Sequence, residues 1–195
     1  MAEKVRCMGM AENLDEKVRK NLETLFRFTE QLHHIKHVPE KDARNIFGIT
    51  LQPLIETDYF KLERDVIMLG ANAPTEQNAR RLRHLMNHFL IMGIIWNAWS
   101  FEKTGKADRR KKIAKYFSSP LGLAGIISFT VDRDRMISIS NKLAERGLLV
   151  KSFEGRRNVY LLSPWFRAYF PALLEKIQTA EEQKFESYNN STRGS

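Results

Sequence analysis

Apolar residues recur at intervals of three and four along most of this chain, the spacing of one face of an α-helix. From Asn13 to about His37 the positions Leu14, Val18, Leu22, Leu25, Phe26, Phe28, Thr29 and Leu32 keep that spacing and predict an amphipathic helix ended by Pro39. A second helical stretch is expected from near Lys41, interrupted at Pro53 and resumed through Tyr59 to Leu69. Gly70 to Pro74 reads as a linker, and Pro74-Thr75-Glu76 opens a long helix with proline in its first turn. That helix, Thr75 to Lys103, carries Leu82, Leu85, Met86, Phe89, Leu90, Met92, Ile94, Ile95, Trp96, Trp99 and Phe101. From Phe89 onward it is apolar on almost every side, so it belongs in a core or between two subunits. Trp96 and Trp99 would alternatively line a pocket for a small aromatic effector, although such stripes more often build core. No internal repeat or heptad run is visible.

Between Asp108 and Leu162 the pattern changes character. A short basic helix begins at Asp108, with Ile113, Ala114 and Phe117 turned inward and Arg109, Arg110, Lys111, Lys112 and Lys115 outward. The segment Leu121 to Phe129 holds two glycines, which predict a short or irregular helix. Asp132 is a suitable N-cap and Gly147 a suitable C-cap for the next helix. Wound at helical pitch, its Met136, Ile139 and Leu143 share one side with Ser140. The other side shows Asp134, Ile137, Ser138 and Asn141, flanked by Arg133, Arg135 and Lys142. These are residue types that read DNA: Asn suits adenine, Arg suits guanine, and an exposed Ile meets the thymine methyl. A strand begins at Leu148, Glu154-Gly155-Arg156-Arg157-Asn158 forms a turn, and Val159 to Leu162 returns. Lys151, Arg156, Arg157 and Asn158 make this hairpin a basic wing suited to a phosphate ridge or minor groove. Beyond it, Ser163 caps and Pro164 opens a last helix. Its Trp165, Phe166, Tyr169, Phe170, Leu173, Leu174 and Ile177 form an apolar stripe that Pro171 should kink. Left bare, the stripe would promote aggregation, so it needs the N-terminal helices or a second subunit as cover.

Charge sharpens this picture. The 195-residue chain has a formal net charge of +9, and residues 102–162 hold 14 Lys/Arg against 6 Asp/Glu. Nearly all the excess positive charge therefore sits in and just before the predicted helix and hairpin, the footprint of a nucleic-acid binder. With 43% hydrophobic residues, 12 of them Phe, the chain can build a substantial core. Cys7 is the single cysteine, which excludes an intramolecular disulfide and suits a reducing, cytoplasmic compartment. The charged N-terminus lacks a secretory h-region, and the longest apolar run, Phe89 to Trp96, is far short of a membrane span.

Asp132-Arg133, then Met136, Ile139 and Leu143, then Leu143-Ala144-Glu145-Arg146-Gly147-Leu148 and the hairpin resemble the reading helix and wing of MarR-type transcriptional regulators. The resemblance spans residues ~108–175 and implies a homodimer that reads a two-fold symmetric operator in double-stranded DNA. The expected fold is mainly α: a winged helix-turn-helix with a small hairpin wing, and further N- and C-terminal helices forming a dimerisation region. In order, this gives an N-terminal helical extension (1–73), a long core or dimer helix (74–103), the winged unit (104–163), a C-terminal dimerisation helix (164–187) and a disordered tail (188–195). The extension leaves room for a protein partner. An adaptor using the winged helix for protein contact, or a plasmid or phage replication or partition accessory, are the alternatives.

Other chemistry has little support. His33 with His37, and His84 with His88, sit at i, i+4 spacing and are weak metal candidates, with neither Cys nor HExxH beside them. No phosphate-binding glycine loop and no GxSxG occurs, so an enzyme, a cofactor and a membrane partner are not expected.

Overall fold

The structure, a computed structural model, describes residues 2–104, 133–154 and 157–192, with side chains at 14–100, 134–153 and 158–183. It is mainly helical. Helix α1 (Ala2–Ile35) leads through β1 (Val38–Pro39) to α2 (Glu40–Phe47), a 3₁₀ turn (Gly48–Thr50) and α3 (Leu51–Glu56). A hairpin follows, β2 (Phe60–Glu63) and β3 (Val66–Leu69), then α4 (Glu76–Leu85) and α5 (Leu90–Thr104). The C-terminal part comprises α6 (Arg133–Glu145), a second hairpin of β4 (Leu149–Glu154) and β5 (Arg157–Leu162), and α7 (Pro164–Thr192). The expected helix at 108–119, the Leu121–Phe129 segment and Asp132 lie outside the described residues.

Two sequence expectations are corrected. Residues 60–69 form a hairpin instead of a helix: Arg64 and Asp65 adopt φ of 47° and 63°, the pair of left-handed residues that closes a two-residue turn. β3 lies between β1 and β2, with Val38 opposite Ile67 and Phe60 opposite Leu69. Short apolar runs carry no decisive period, and cross-strand pairing settled this one. The long helix expected over 75–103 is broken at residues 86–89. There the His88 ring Nδ1 accepts the Leu90 N–H at 3.2 Å, satisfying a donor that opens α5.

A repeat hidden in the sequence is plain in the backbone. After α3, Tyr59 N–H donates to Leu54 C=O (2.9 Å) and Asp58 N–H to Ile55 C=O (3.0 Å). After α6, Leu148 N–H donates to Leu143 C=O (3.0 Å) and Gly147 N–H to Ala144 C=O (3.1 Å). Both are Schellman caps, with Asp58 (φ 54°) and Gly147 (φ 77°) as the left-handed residue. Each hairpin is then closed at its foot by one further bond, Gly70 N–H to Tyr59 C=O (2.9 Å) and Ser163 N–H to Leu148 C=O (3.1 Å). The aligned segments read Leu-Ile-Glu-Thr-Asp-Tyr and Leu-Ala-Glu-Arg-Gly-Leu, too diverged to be seen without the bonds. One helix–cap–hairpin–helix unit thus occurs twice. A Cβ at Gly147 would meet nothing within 4 Å, so Gly147→Ala tests backbone strain alone. It should cost about 1 kcal/mol, read as a lowered urea midpoint with unchanged slope.

The units share one core. α7 lies across the 3₁₀ turn, α3 and α1, and α5 packs on α6 and β5. Phe170 receives the edges of Trp96 (5.1 Å) and Trp99 (5.5 Å), while Trp165 meets Tyr59 at 4.6 Å. Trp96 also donates its indole N–H to Asp15 Oδ1 at 2.7 Å. Trp96 and Trp99 are half-buried and packed against the core. The Tyr59 hydroxyl shares a 2.8 Å bond with Thr29, and burial holds both Tyr59 and Tyr169 phenols well above their usual range, hence neutral. Trp165, Phe166, Tyr169, Phe170, Leu173 and Ile177 are buried and Leu174 half-buried. The C-terminal stripe therefore finds its cover in the N-terminal helices of its own chain, and α7 runs on through Pro171. In α5, Leu90, Ile91, Met92, Ile94, Ile95 and Ala98 are buried, and the two tryptophans are half-buried against the core.

Candidate nucleic-acid interface

α6 buries one stripe and exposes another. Ile139, Ser140 and Leu143 are buried and Met136 is half-buried against the core, as their spacing predicts. Asp134, Arg135, Ser138 and Lys142 are exposed, and so is Ile137 at 43%. Ile137 is thereby open to contact, as Ile35, Ile46 and Ile49 are elsewhere on the surface. Asn141 differs from the sequence expectation: it is half-buried, and its Oδ1 accepts the Tyr160 hydroxyl of β5 at 2.5 Å. The bond ties the helix to the hairpin and fixes the amide plane, leaving Nδ2 as its donor side. Arg146, absent from the expected site, turns back to donate to the Lys142 carbonyl at 2.7 Å and closes the helix C-terminus.

The hairpin pairs Leu149 with Leu162, Lys151 with Tyr160, Phe153 with Asn158 and Glu154 with Arg157. Alternation puts Leu149, Lys151 and Phe153 on one face with Leu162, Tyr160 and Asn158. The buried members of that set mark the side packed on the molecule. Lys151 and Asn158 are exposed beyond it, and Phe153 is exposed at 73%. Sequence reasoning passed over Phe153, although an aromatic residue directly before Glu-Gly-Arg-Arg with no buried partner was a signal. Between the C-terminal half of α6 and the foot of the hairpin runs an open cleft of about 650 Å³, lined by Asn141, Ala144, Glu145, Val150, Lys151 and Ser163 among others. Arg133 opens α6 and Arg157 opens β5 as backbone positions. Arg109, Arg110, Lys111, Lys112, Lys115 and Arg156 lie outside the described residues.

The N-terminal unit provides an internal control, because its helix and hairpin have the same capping and a different charge. Residues 36–69 carry 5 Lys/Arg against 6 Asp/Glu, whereas residues 133–162 carry 7 against 3. On the N-terminal unit Gln52 is bonded to Glu56 (2.9 Å), Lys61 is paired with Glu63, and Ile49 is exposed at 50%. The two units share their capping but differ in the sign of their net charge.

Neither histidine pair lies within one regular helix, as its i, i+4 spacing assumed. α1 ends at Ile35 and Lys36 turns left-handed, so His37 leaves the face that holds His33, whose Nε2 lies 3.0 Å from the Pro74 carbonyl. His84 belongs to α4 while His88 stands in the break after it. Among the described residues no group of three or more His, Cys, Asp or Glu side chains is placed to hold a metal ion. No described helix is long and apolar enough to cross a membrane. Comparison of the chain with protein-family models, with curated proteins and with solved structures gives no match in any of the three, so its own residues carry the functional reading.

Proposed function

We propose that the chain is a sequence-specific, double-stranded-DNA-binding transcriptional regulator whose α6 and second hairpin act as a winged helix. One observation carries the reading: an exposed helix face of Arg135, Ile137, Ser138 and Lys142 stands beside a hairpin with a basic tip, in the half of the molecule that holds the excess positive charge. In this reading α6 enters the major groove, where its polar and apolar groups meet base edges, and the hairpin tracks the flanking backbone. The MarR-type resemblance extends it to a homodimer on a two-fold symmetric operator. That homodimer rests on the resemblance, since the α7 stripe is covered within the chain.

Selection of bound sequences from a random duplex pool, followed by polarisation titrations, tests the proposal. Arg135→Ala should change which base is preferred at one position and cost the best site about 1–3 kcal/mol while leaving random-duplex affinity almost unchanged. Asn141→Ala also cuts the bond from Tyr160 that ties the helix to the hairpin, so it should weaken binding to random duplex as well. No duplex binding at micromolar protein and low salt would sink the proposal. It would favour the second reading, an adaptor, for which Ile137 on the helix and Val150 and Phe153 on opposite faces of the hairpin are exposed apolar residues.

A further inference from the structure

The two hairpins grow from equivalent feet, and their difference in length isolates what the second one has added. β2 and β3 have four residues each and close on Arg64 and Asp65; β4 and β5 have six each. The first hairpin is completed by β1 along β3, whereas the second is a two-stranded ribbon that runs two rungs further. Those rungs carry Phe153, 73% exposed and more open than any other large hydrophobic side chain among the described residues. Its cross-strand neighbour is Asn158, which offers a ring no apolar cover. Two positions back on the same face is Lys151, and the tip that follows reads Glu154-Gly155-Arg156-Arg157. An aromatic ring at the end of a cationic ribbon matches the chemistry of minor-groove binding. There, arginines are drawn to the negative potential of the groove, and an apolar side chain is pushed between base pairs to kink the duplex.

We infer that Phe153 is a wedge that unstacks one base step in the minor groove beside the site read by α6, and so bends the DNA. The inference rests on the DNA-binding reading above and adds to it a mode of recognition. Pyrimidine–purine steps, TA and CA/TG, unstack most easily. A preference for such a step is therefore expected at a position under the hairpin that no polar side chain reads.

The experiment uses the full chain and a duplex recovered by selection, labelled at both ends for energy transfer and carrying 2-aminopurine at the flexible step. Wild-type protein should shorten the end-to-end distance and raise the 2-aminopurine emission. Phe153→Ala should abolish both changes, weaken this duplex about tenfold, and leave the salt slope as it was. Phe153→Leu, which keeps an apolar wedge, should restore part of each. Bend and emission unchanged in Phe153→Ala would overturn the wedge while leaving DNA binding intact. So would a shift in sedimentation that shows the ring holding two protein chains together. Failure of the wild-type protein to bind any duplex would instead remove the DNA-binding reading, and the wedge with it.

Discussion

Replacing Arg156 and Arg157 together by alanine is expected to weaken binding to every duplex sequence by the same factor and to flatten its dependence on salt. A cation that neutralises a phosphate releases condensed counterions, and each such contact contributes about −0.9 to the slope of log K against log salt. Losing two contacts should make that slope shallower by about 1.8. At ~0.15 M salt this corresponds to a loss of roughly ten- to a hundredfold in affinity. Polarisation titrations over a salt series, on selected and random duplexes, would measure both quantities. A loss confined to the selected duplex would mean that the arginines read bases, and an unchanged slope would mean that the hairpin does not touch phosphate. Matched substitution of Lys61 and Arg64 on the first hairpin should do little, because that surface carries no net positive charge and Lys61 is already paired with Glu63.

The largest effect on stability is expected from Phe170→Ala. Phe170 is fully buried and takes the edges of both Trp96 and Trp99, joining α7 to α5. Truncating a buried Phe removes its transfer free energy and leaves a cavity, together about 3–5 kcal/mol. That is a large part of the 5–15 kcal/mol that holds a typical domain. Urea unfolding followed by tryptophan emission would read the loss directly, as both indoles change surroundings. A cost under about 1 kcal/mol would mean that α5 and α7 do not share a core. Since α5 also supports α6 and β5, duplex affinity should fall in parallel with the folded fraction.

Much of the helical frame could be read from spacing. α1, α5, α6 and α7 carry long runs of apolar positions, and for Val18, Leu22, Leu25, Ile139, Leu143, Phe166 and Leu173 periodicity and burial agree. The first hairpin could not be read that way. Tyr-Phe-Lys-Leu-Glu-Arg-Asp-Val-Ile-Met-Leu suits either period, and the decision came from Arg64 and Asp65 adopting φ values that neither residue advertises. Asp58 hid the repeat for the same reason, since a left-handed Asp does the work that Gly147 does openly. At the interface, the outward set of α6 followed from helical geometry alone. The engagement of Asn141 by Tyr160 did not, because it joins positions 19 apart in sequence through a strand pairing no local pattern encodes.

The matched feet of the two hairpins have a practical consequence for engineering the molecule. Each ribbon leaves its scaffold through the same cap and the same closing bond, but the first is also tied along its outer rungs, where β1 pairs with β3 and Glu40 N–H donates to the Asp65 carbonyl at 2.8 Å. The second socket is therefore the one to redesign: a neutral end could replace its cationic one while the cap and closing bond are kept.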